Sequence, residues 1–392
     1  MRALFMTWAW GSHLQPMVPL GWALRAAGHE VLVASHPFFK DTITNAGLPA
    51  LPVGEDVDVR GLMSEAHRRS SLDPADIRHR GEQAVATATT SAVAMAEDTF
   101  RFARDWRPDV VVYEPMAFLG PGLAAELDVP ALRLLWATDF VASIADVPEA
   151  DDAMLGGLGS RQQLVDNMAF GDVTLDPCPP RLRTDDDLVR RPMRYVPYNG
   201  PAVMPRWLAG PPARPRVVVT WGGSLHYLGW EDAFLAPRIV RALAGQDVEV
   251  VVAVLDEQRD RFGDLPDNVV HIGPIALNLL SGDCAGIIHQ GGAATTMTAV
   301  SCGWPQLIFP WAADAIVNAR LVSRSGSGRY ELPVDLDDAG LSRAVHRFVA
   351  DLPRLRAGAD ELHREHRMLP SPVDVANRLE PDLRDGVIRR RP

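Results

Sequence analysis

The chain has 392 residues, of which 47% are hydrophobic and 23% charged, and its formal net charge is −11. A chain of this length exceeds the size at which a single hydrophobic core stops growing, so we expect two domains. The acidic balance argues against nucleic acid as a partner, because phosphate binding needs a concentrated basic surface. The sequence has no apolar stretch long enough for a membrane span, and Cys178, Cys284 and Cys302 have neither disulfide-framework nor metal-ligand spacing. We therefore expect a cytoplasmic protein that is not embedded in a membrane.

Short apolar runs alternate with helical patterns along the first half of the chain, which is typical of a parallel α/β sheet. Residues 3–7 form the first predicted strand. The following helix carries Leu20, Leu24 and Ala27 on one face, and Gly28 is placed to end it. Further strands are predicted over residues 30–35, 110–113 and 132–136.

A second series of strands follows a segment rich in Pro and Gly, residues 197–215. These strands are predicted over residues 217–220, 248–254, 286–289 and 306–309. The pattern predicts a first domain over residues 1–200, a linker over 201–215 and a second domain over 216–368. Two such domains create a cleft, and ligands of parallel sheets bind at the carboxyl ends of the strands.

The segment from Gly286 to Thr296 combines a strand, a turn of small residues and the start of a helix. Its glycines allow the backbone to approach a ligand closely, and the free N–H groups of the helix start suit a diphosphate. His289 lies at the end of the strand. By spacing alone, the same turn could equally be a plain connection between strand and helix.

His13 follows the first strand, at the edge where the proposed cleft opens. An imidazole titrates near neutral pH and can accept a proton from a hydroxyl nucleophile. Large apolar side chains stand near the same strand ends, and they fit either a flat apolar acceptor or a core: Trp8, Trp10, Met116, Phe118 and Trp136.

Several motifs together resemble the family 1 glycosyltransferases of bacterial natural-product biosynthesis, which act on macrolides and aromatic polyketides. They are His289-Gln290-Gly291-Gly292-Ala293-Ala294-Thr295, Gly303-Trp304-Pro305-Gln306, Asp314-Ala315 with Asn318, Ser12-His13-Leu14, Met17-Val18-Pro19-Leu20, Ala26-Ala27-Gly28-His29-Glu30-Val31 and Tyr198-Asn199-Gly200-Pro201. The resemblance covers essentially the whole chain. It implies the GT-B fold, in which two Rossmann-like domains face each other across a cleft. It also implies a C-terminal helix, at about residues 369–385, that crosses back onto the first domain.

The resemblance assigns roles to individual residues. His13 would be the general base, and Glu114 would orient it, where relatives commonly carry Asp. His289 would bind the diphosphate and Asp314 the sugar hydroxyls. The motifs imply further residues on the donor side. They are Gly223 and Ser224 in a second phosphate-side loop, Pro274 and Ile275 against the nucleotide base, and Gly291, Gly292, Ala293, Ala294 and Thr295 in the anion site.

Two positions depart from the family pattern. Gln290 replaces a second His, and Ala315 replaces a Gln whose amide could bind a sugar hydroxyl. A site without that amide leaves no polar group unpaired when the sugar lacks the hydroxyl. We therefore expect a deoxysugar, donated by its thymidine diphosphate (TDP) derivative. Direct displacement would invert the configuration at the anomeric carbon, and the resemblance implies a polyketide-type aglycone as acceptor.

No cofactor and no metal are expected. The pairs Asp56 with Asp58 and Asp335 with Asp337 stand in no supporting motif, and the first turn lacks the glycine fingerprint of dinucleotide binding. A nucleotide-sugar epimerase of the same fold and a non-catalytic sugar-nucleotide-binding helper are the alternatives. Transfer to carbon rather than oxygen, a homodimer and an auxiliary activator protein are left open.

Overall fold

The computed structural model describes residues 1–69, 77–145, 170–184, 188–230, 233–280, 282, 284–333 and 336–389. Asp335, one of the acidic residues discounted above as a metal ligand, lies outside these ranges. The described chain forms two α/β lobes, each built on its own parallel sheet. The lobes are named after the roles that the resemblance implies: the acceptor lobe has the N-terminal sheet, and the donor lobe has the second sheet.

The acceptor lobe has a seven-stranded parallel sheet in the order β3-β2-β1-β4-β5-β6-β7. Its strands are β1 (Arg2–Met6), β2 (Glu30–Ser35), β3 (Ala50–Pro52), β4 (Val110–Tyr113), β5 (Ala131–Leu134), β6 (Val173–Asp176) and β7 (Arg190–Pro192). The central strands are almost continuously apolar because helices cover both faces of a parallel sheet.

The described helices of this lobe are α1 (Gly11–Leu14), α2 (Val18–Ala26), α3 (Lys40–Asn45), α4 (Val59–Arg69), α5 (Ile77–Trp106), α6 (Leu119–Leu127) and α7 (Phe140–Ala145). Leu20 and Leu24 of α2 are fully buried, as their spacing predicts. Gly28, one residue beyond the C-cap, has φ of +87°, a conformation that glycine adopts without strain.

The donor lobe has a six-stranded parallel sheet in the order β10-β9-β8-β11-β12-β13. Its strands are β8 (Arg216–Thr220), β9 (Glu249–Ala253), β10 (Val269–Gly273), β11 (Cys284–His289), β12 (Gln306–Ile308) and β13 (Gly328–Tyr330). Its described helices are α8 (Ser224–Tyr227), α9 (Ala236–Ala242), α10 (Ala293–Cys302), α11 (Ala313–Arg324) and α12 (Asp338–Arg367).

The last helix, α13 (Pro372–Arg384), returns to the acceptor lobe and packs against α2. Ala376 and Leu379 are buried in the core of that lobe together with Leu20. The predicted α/β class with two Rossmann-like sheets is confirmed. No helix in the described ranges is long and apolar enough to cross a membrane.

The order of the strands determines where the candidate functional residues lie. In the first sheet, β2 and β3 are added on one side of β1, and β4 begins the series on its other side. In the second sheet, β9 and β10 lie on one side of β8, and β11 begins the series on the other. Such switch points open a crevice at the carboxyl ends of the strands. His13 and Glu114 follow β1 and β4, and the glycine-containing turns at Gly222 and Gly291 follow β8 and β11. The two crevices form one interlobe site.

Candidate active site

His13 and Glu114 form a hydrogen-bonded pair at the crevice of the acceptor lobe. His13 lies in the short helix α1, and its Nδ1 is 3.0 Å from Oε2 of Glu114. The Glu114 side chain is only 1% exposed, whereas that of His13 is 13% exposed and lines the cavity between the lobes. The backbone N–H of Trp8 donates to Oε1 of Glu114, and the N–H of Met116 donates to Oε2, each at 2.9 Å.

The hydrogen bond to Glu114 determines which ring nitrogen of His13 carries a hydrogen. A carboxylate can only accept hydrogen bonds, so Nδ1 of His13 is the donor in this bond, and in the neutral ring the lone pair is then on Nε2. The two backbone N–H groups hold the carboxylate in place. A histidine oriented in this way is suited to act as a base through Nε2.

Aromatic rings surround His13. The Trp136 ring centre lies 4.2 Å from that of His13, and the Trp8 ring meets His13 edge-on at 5.1 Å. Trp10 stacks on Trp8 at 6.1 Å. Met116 also lines the cavity, whereas the half-buried Phe118 packs behind this cluster and does not.

The turn after β11 is shaped by glycine. Gly291 has φ of +88°, and a Cβ there would lie 2.9 Å from both Cβ of Ala315 and Cγ2 of Ile308. Gly292 is the N-cap of α10, and no side chain caps this helix. The N–H groups of its first turn are therefore available to an anion, and Ala293, Ala294 and Thr295 line the cavity.

His289 lies beneath this turn rather than in the cavity. It is fully buried, its Nε2 is 3.0 Å from Oε1 of Gln306, and Gly291 N–H donates to its Nδ1 at 3.1 Å. Burial lowers the pKa of His289 to about 4, so the ring is neutral at pH 7. Both ring nitrogens are occupied. Direct binding of the diphosphate by His289 stays a prediction that requires one of these bonds to be exchanged.

Asp314 faces the cavity from the first turn of α11. Burial raises the pKa of the Asp314 carboxyl, and the N–H of Ala315 and the charge of His13 partly oppose the rise. His13 and Asp314 come from different lobes and line the same cavity. Ala315 itself is buried and contributes to the same wall.

The cavity between the lobes has a volume of about 700 Å³, which is large enough for a drug-sized molecule. Of the residues predicted for the site, it is lined by His13, Trp8, Trp10, Met116, Trp136, Gly223, Ser224, Gly292, Ala293, Ala294, Thr295 and Asp314. Glu114 and Gly291 lie directly behind this lining. Pro274 and Ile275 follow β10 and lie outside it.

Other lining residues were not predicted: Gln15, Phe38, Phe39, Thr42, Arg60, Met63, Phe140, Tyr227, Trp230 and Leu255. Phe38 and Leu255 follow β2 and β9, so the strand-end rule that identified His13 could have found them. Arg60 and Met63 lie on α4, and the sequence has no strand boundary there to mark them. The Arg60 guanidinium lies 4.5 Å from the Tyr227 ring centre, across the cleft.

Gln290, one of the two departures from the family pattern, also lines the cavity. Its Nε2 lies within 3.5 Å of the positions that a Cβ would take on Gly222 and Gly292. The side chain therefore sits between the two glycine turns of the donor lobe. Within the described ranges, no group of three or more His, Cys, Asp or Glu side chains could hold a metal ion.

Comparison with known proteins assigns the family. Residues 22–222 match the N-terminal domain of the erythromycin biosynthesis protein CIII-like family, and residues 237–381 match its C-terminal domain. The chain belongs to this family. It is a glycosyltransferase of the group that acts on macrolides and aromatic polyketides, as the motifs predicted.

Individual relatives extend over nearly the whole chain. The L-demethylnoviosyl transferase of Streptomyces niveus is 38% identical over 98% of this chain and 99% of its own. The aclacinomycin-T 2-deoxy-L-fucose transferase of Streptomyces galilaeus is 34% identical over 97% and 96%. The crystal structure of the glycosyltransferase VinC, in complex with dTDP, is 32% identical with a TM-score of 0.79 over 98% of this chain and all of its own. The likeness to VinC confirms the GT-B fold.

Proposed function

We propose that this enzyme transfers a deoxysugar from TDP to a hydroxyl of a polyketide-type aglycone, with inversion at the anomeric carbon. The observation that carries the proposal is the oriented His13, which faces an uncapped helix start across one cavity. A base and an anion site in that arrangement are what displacement of a diphosphate requires. The comparisons support the donor and acceptor classes.

In the proposed reaction, Nε2 of His13 takes the proton from the aglycone hydroxyl as its oxygen attacks the anomeric carbon. The bond between that carbon and the diphosphate oxygen breaks on the opposite face, so configuration inverts. Glu114 stabilises the imidazolium that forms. The leaving diphosphate receives hydrogen bonds from the N–H groups at the start of α10 and from Ser224.

The donor assignment rests on two supports. VinC, whose structure matches over its full length, was crystallised with dTDP. In this chain Ala315 lines the cavity beside Asp314 with no polar side-chain atom, so a missing sugar hydroxyl leaves no protein group unpaired. The aromatic wall formed by Trp8, Trp10, Trp136 and Phe140 suits a flat or cyclic apolar acceptor.

The test combines TDP-sugars with a panel of macrolide and aromatic polyketide aglycones, and product configuration is read by NMR. We expect inverted products and better turnover with TDP-deoxysugars than with TDP-glucose. His13→Ala should lower kcat by about 10²- to 10⁴-fold with TDP affinity within about twofold of wild type. His346→Ala, at an exposed histidine of α12, is the control.

Other results would assign a different function. Retained configuration, or full turnover by His13→Ala, would contradict the proposed mechanism. Conversion of the TDP-sugar without any aglycone would indicate an epimerase. Binding of TDP without turnover of any donor and acceptor pair would favour the helper alternative.

A further inference from the structure

One hydrogen bond joins the loop that carries the catalytic histidine to the donor lobe. The indole Nε1–H of Trp10, three residues before His13, donates to Oγ of Ser224 at 3.1 Å. Ser224 begins α8, directly after the glycine turn that follows β8. Both residues are half-buried and both line the cavity.

This bond determines what the Ser224 hydroxyl can do. An indole N–H is a donor only, so Oγ of Ser224 must use a lone pair to accept it. The hydroxyl hydrogen is then left for an acceptor. No such acceptor lies within hydrogen-bond distance among the described residues, and Ser224 lines the same cavity as Gln290 and Thr295. A diphosphate oxygen is the acceptor that the proposed reaction supplies.

The other rings of the same cluster do not make this contact. Trp8 stacks on Trp10, yet its own Nε1 is buried without a hydrogen-bond partner in the described chain. The bond to Ser224 is thus a property of Trp10 and not of the aromatic stack as a whole.

We infer that Trp10 is a positioning residue for the donor, contributed by the acceptor lobe: its N–H orients the Ser224 hydroxyl toward the diphosphate. This inference rests on the proposed function, since it takes TDP as the ligand of that hydroxyl. It implies that the phosphate-side loop is complete only when the two lobes are in contact.

The experiment measures TDP binding by calorimetry for wild type, Trp10→Phe, Ser224→Ala and the double variant. Trp10→Phe and Ser224→Ala should each weaken TDP binding by roughly tenfold, and the double variant should be no weaker than Ser224→Ala alone. Ser224→Thr keeps a hydroxyl and should restore most of the affinity. Thymidine, which lacks both phosphates, should bind wild type and Trp10→Phe equally.

Trp22→Phe is the control, because it removes an indole N–H bond of the same lobe outside the cavity: Nε1 of Trp22 donates to the Ala46 carbonyl at 2.8 Å. It should leave TDP affinity within about twofold of wild type. Equal losses in Trp22→Phe and Trp10→Phe, or single effects that multiply in the double variant, would overturn the inference and leave the proposed function intact. A wild-type enzyme that does not bind TDP would overturn both.

Discussion

Thr138 of the acceptor lobe donates a 2.6 Å hydrogen bond from Oγ1 to Oδ1 of Asn318 in the donor lobe, and both residues are buried. The amide nitrogen of Asn318 in turn donates to the Gly291 carbonyl at 2.9 Å. One side chain thus connects the glycine turn of the donor lobe to the loop after β5, which carries Trp136 beside His13. The resemblance pointed to Asn318, but not to its partner.

Thr138→Val keeps the side-chain shape and removes the hydroxyl, so Oδ1 of Asn318 loses its hydrogen-bond donor. We expect the free energy of unfolding to fall by about 1–3 kcal/mol, the usual cost of a buried unpaired polar atom. Urea denaturation measures the change. Thr138→Ser retains the hydroxyl and is the control, and equal stability of the two variants would contradict the role given to this bond.

Glu114→Gln tests the orientation of His13. An amide can present its nitrogen to Nδ1 of His13, which favours the tautomer with the proton on Nε2 and removes the base. We expect kcat to fall by at least about 10²-fold, while TDP affinity measured by calorimetry is retained. Glu30→Gln, at an exposed carboxylate on β2, should leave kcat at the wild-type value. A similar kcat in both variants would exclude Glu114 as the orienting group.

Two buried histidines predict an acid limit to stability. Burial lowers the pKa of His289 and of His366 to about 4 from the ordinary value of 6.5. Between these values the unfolded chain binds protons that the folded chain does not. The stability that depends on these two groups is therefore fully present above about pH 6.5 and is lost as the pH is lowered toward about 4, by at most roughly 3 kcal/mol per group.

Urea denaturation between pH 7 and pH 4.5 measures this dependence. His366→Asn removes one of the two groups, and its free energy of unfolding should fall less steeply over the same range. A slope equal to that of wild type would show that His366 does not contribute to the acid sensitivity.

Ala315→Gln tests the origin of donor preference. The new amide would lie in the cavity wall beside Asp314, where it could pair with a sugar hydroxyl. We expect the ratio of kcat/KM for TDP-glucose to that for a TDP-deoxysugar to rise by roughly tenfold, the value of one good polar contact. Ala315→Met has similar length without the amide. A rise that is equal in both variants would point to a change of shape rather than a hydrogen bond.

The sequence predicted the four central strands of each sheet and missed the strands toward the sheet edges. Residues 110–113 coincide with β4, because four consecutive buried apolar residues are a strong signal. The strands toward the sheet edges were missed, namely β3, β6, β7, β10 and β13. Of these, β3, β7 and β13 have only three residues each. Three residues contain too little alternation to be distinguished from a loop, and only pairing with a neighbouring strand stabilises them.

The resemblance implied the pairing of His13 with Glu114, and the structure gives its basis: β1 and β4 are neighbours, so their carboxyl ends meet at one edge. The burial of His289 could not. Its environment depends on Gln306, which β12 places alongside β11. Contacts across the cleft, such as that of Arg60 with Tyr227, depend on how the two lobes pack together. The sequence around either residue contains no signal of that packing.

The polypeptide passes between the lobes twice, and the two passages are bonded to each other. The N–H of Arg194 donates to the Pro370 carbonyl at 2.6 Å, and Nε2 of His366 lies 2.9 Å from the Tyr195 carbonyl. The two crossings are thereby held side by side. A motion that separated them would have to break both hydrogen bonds.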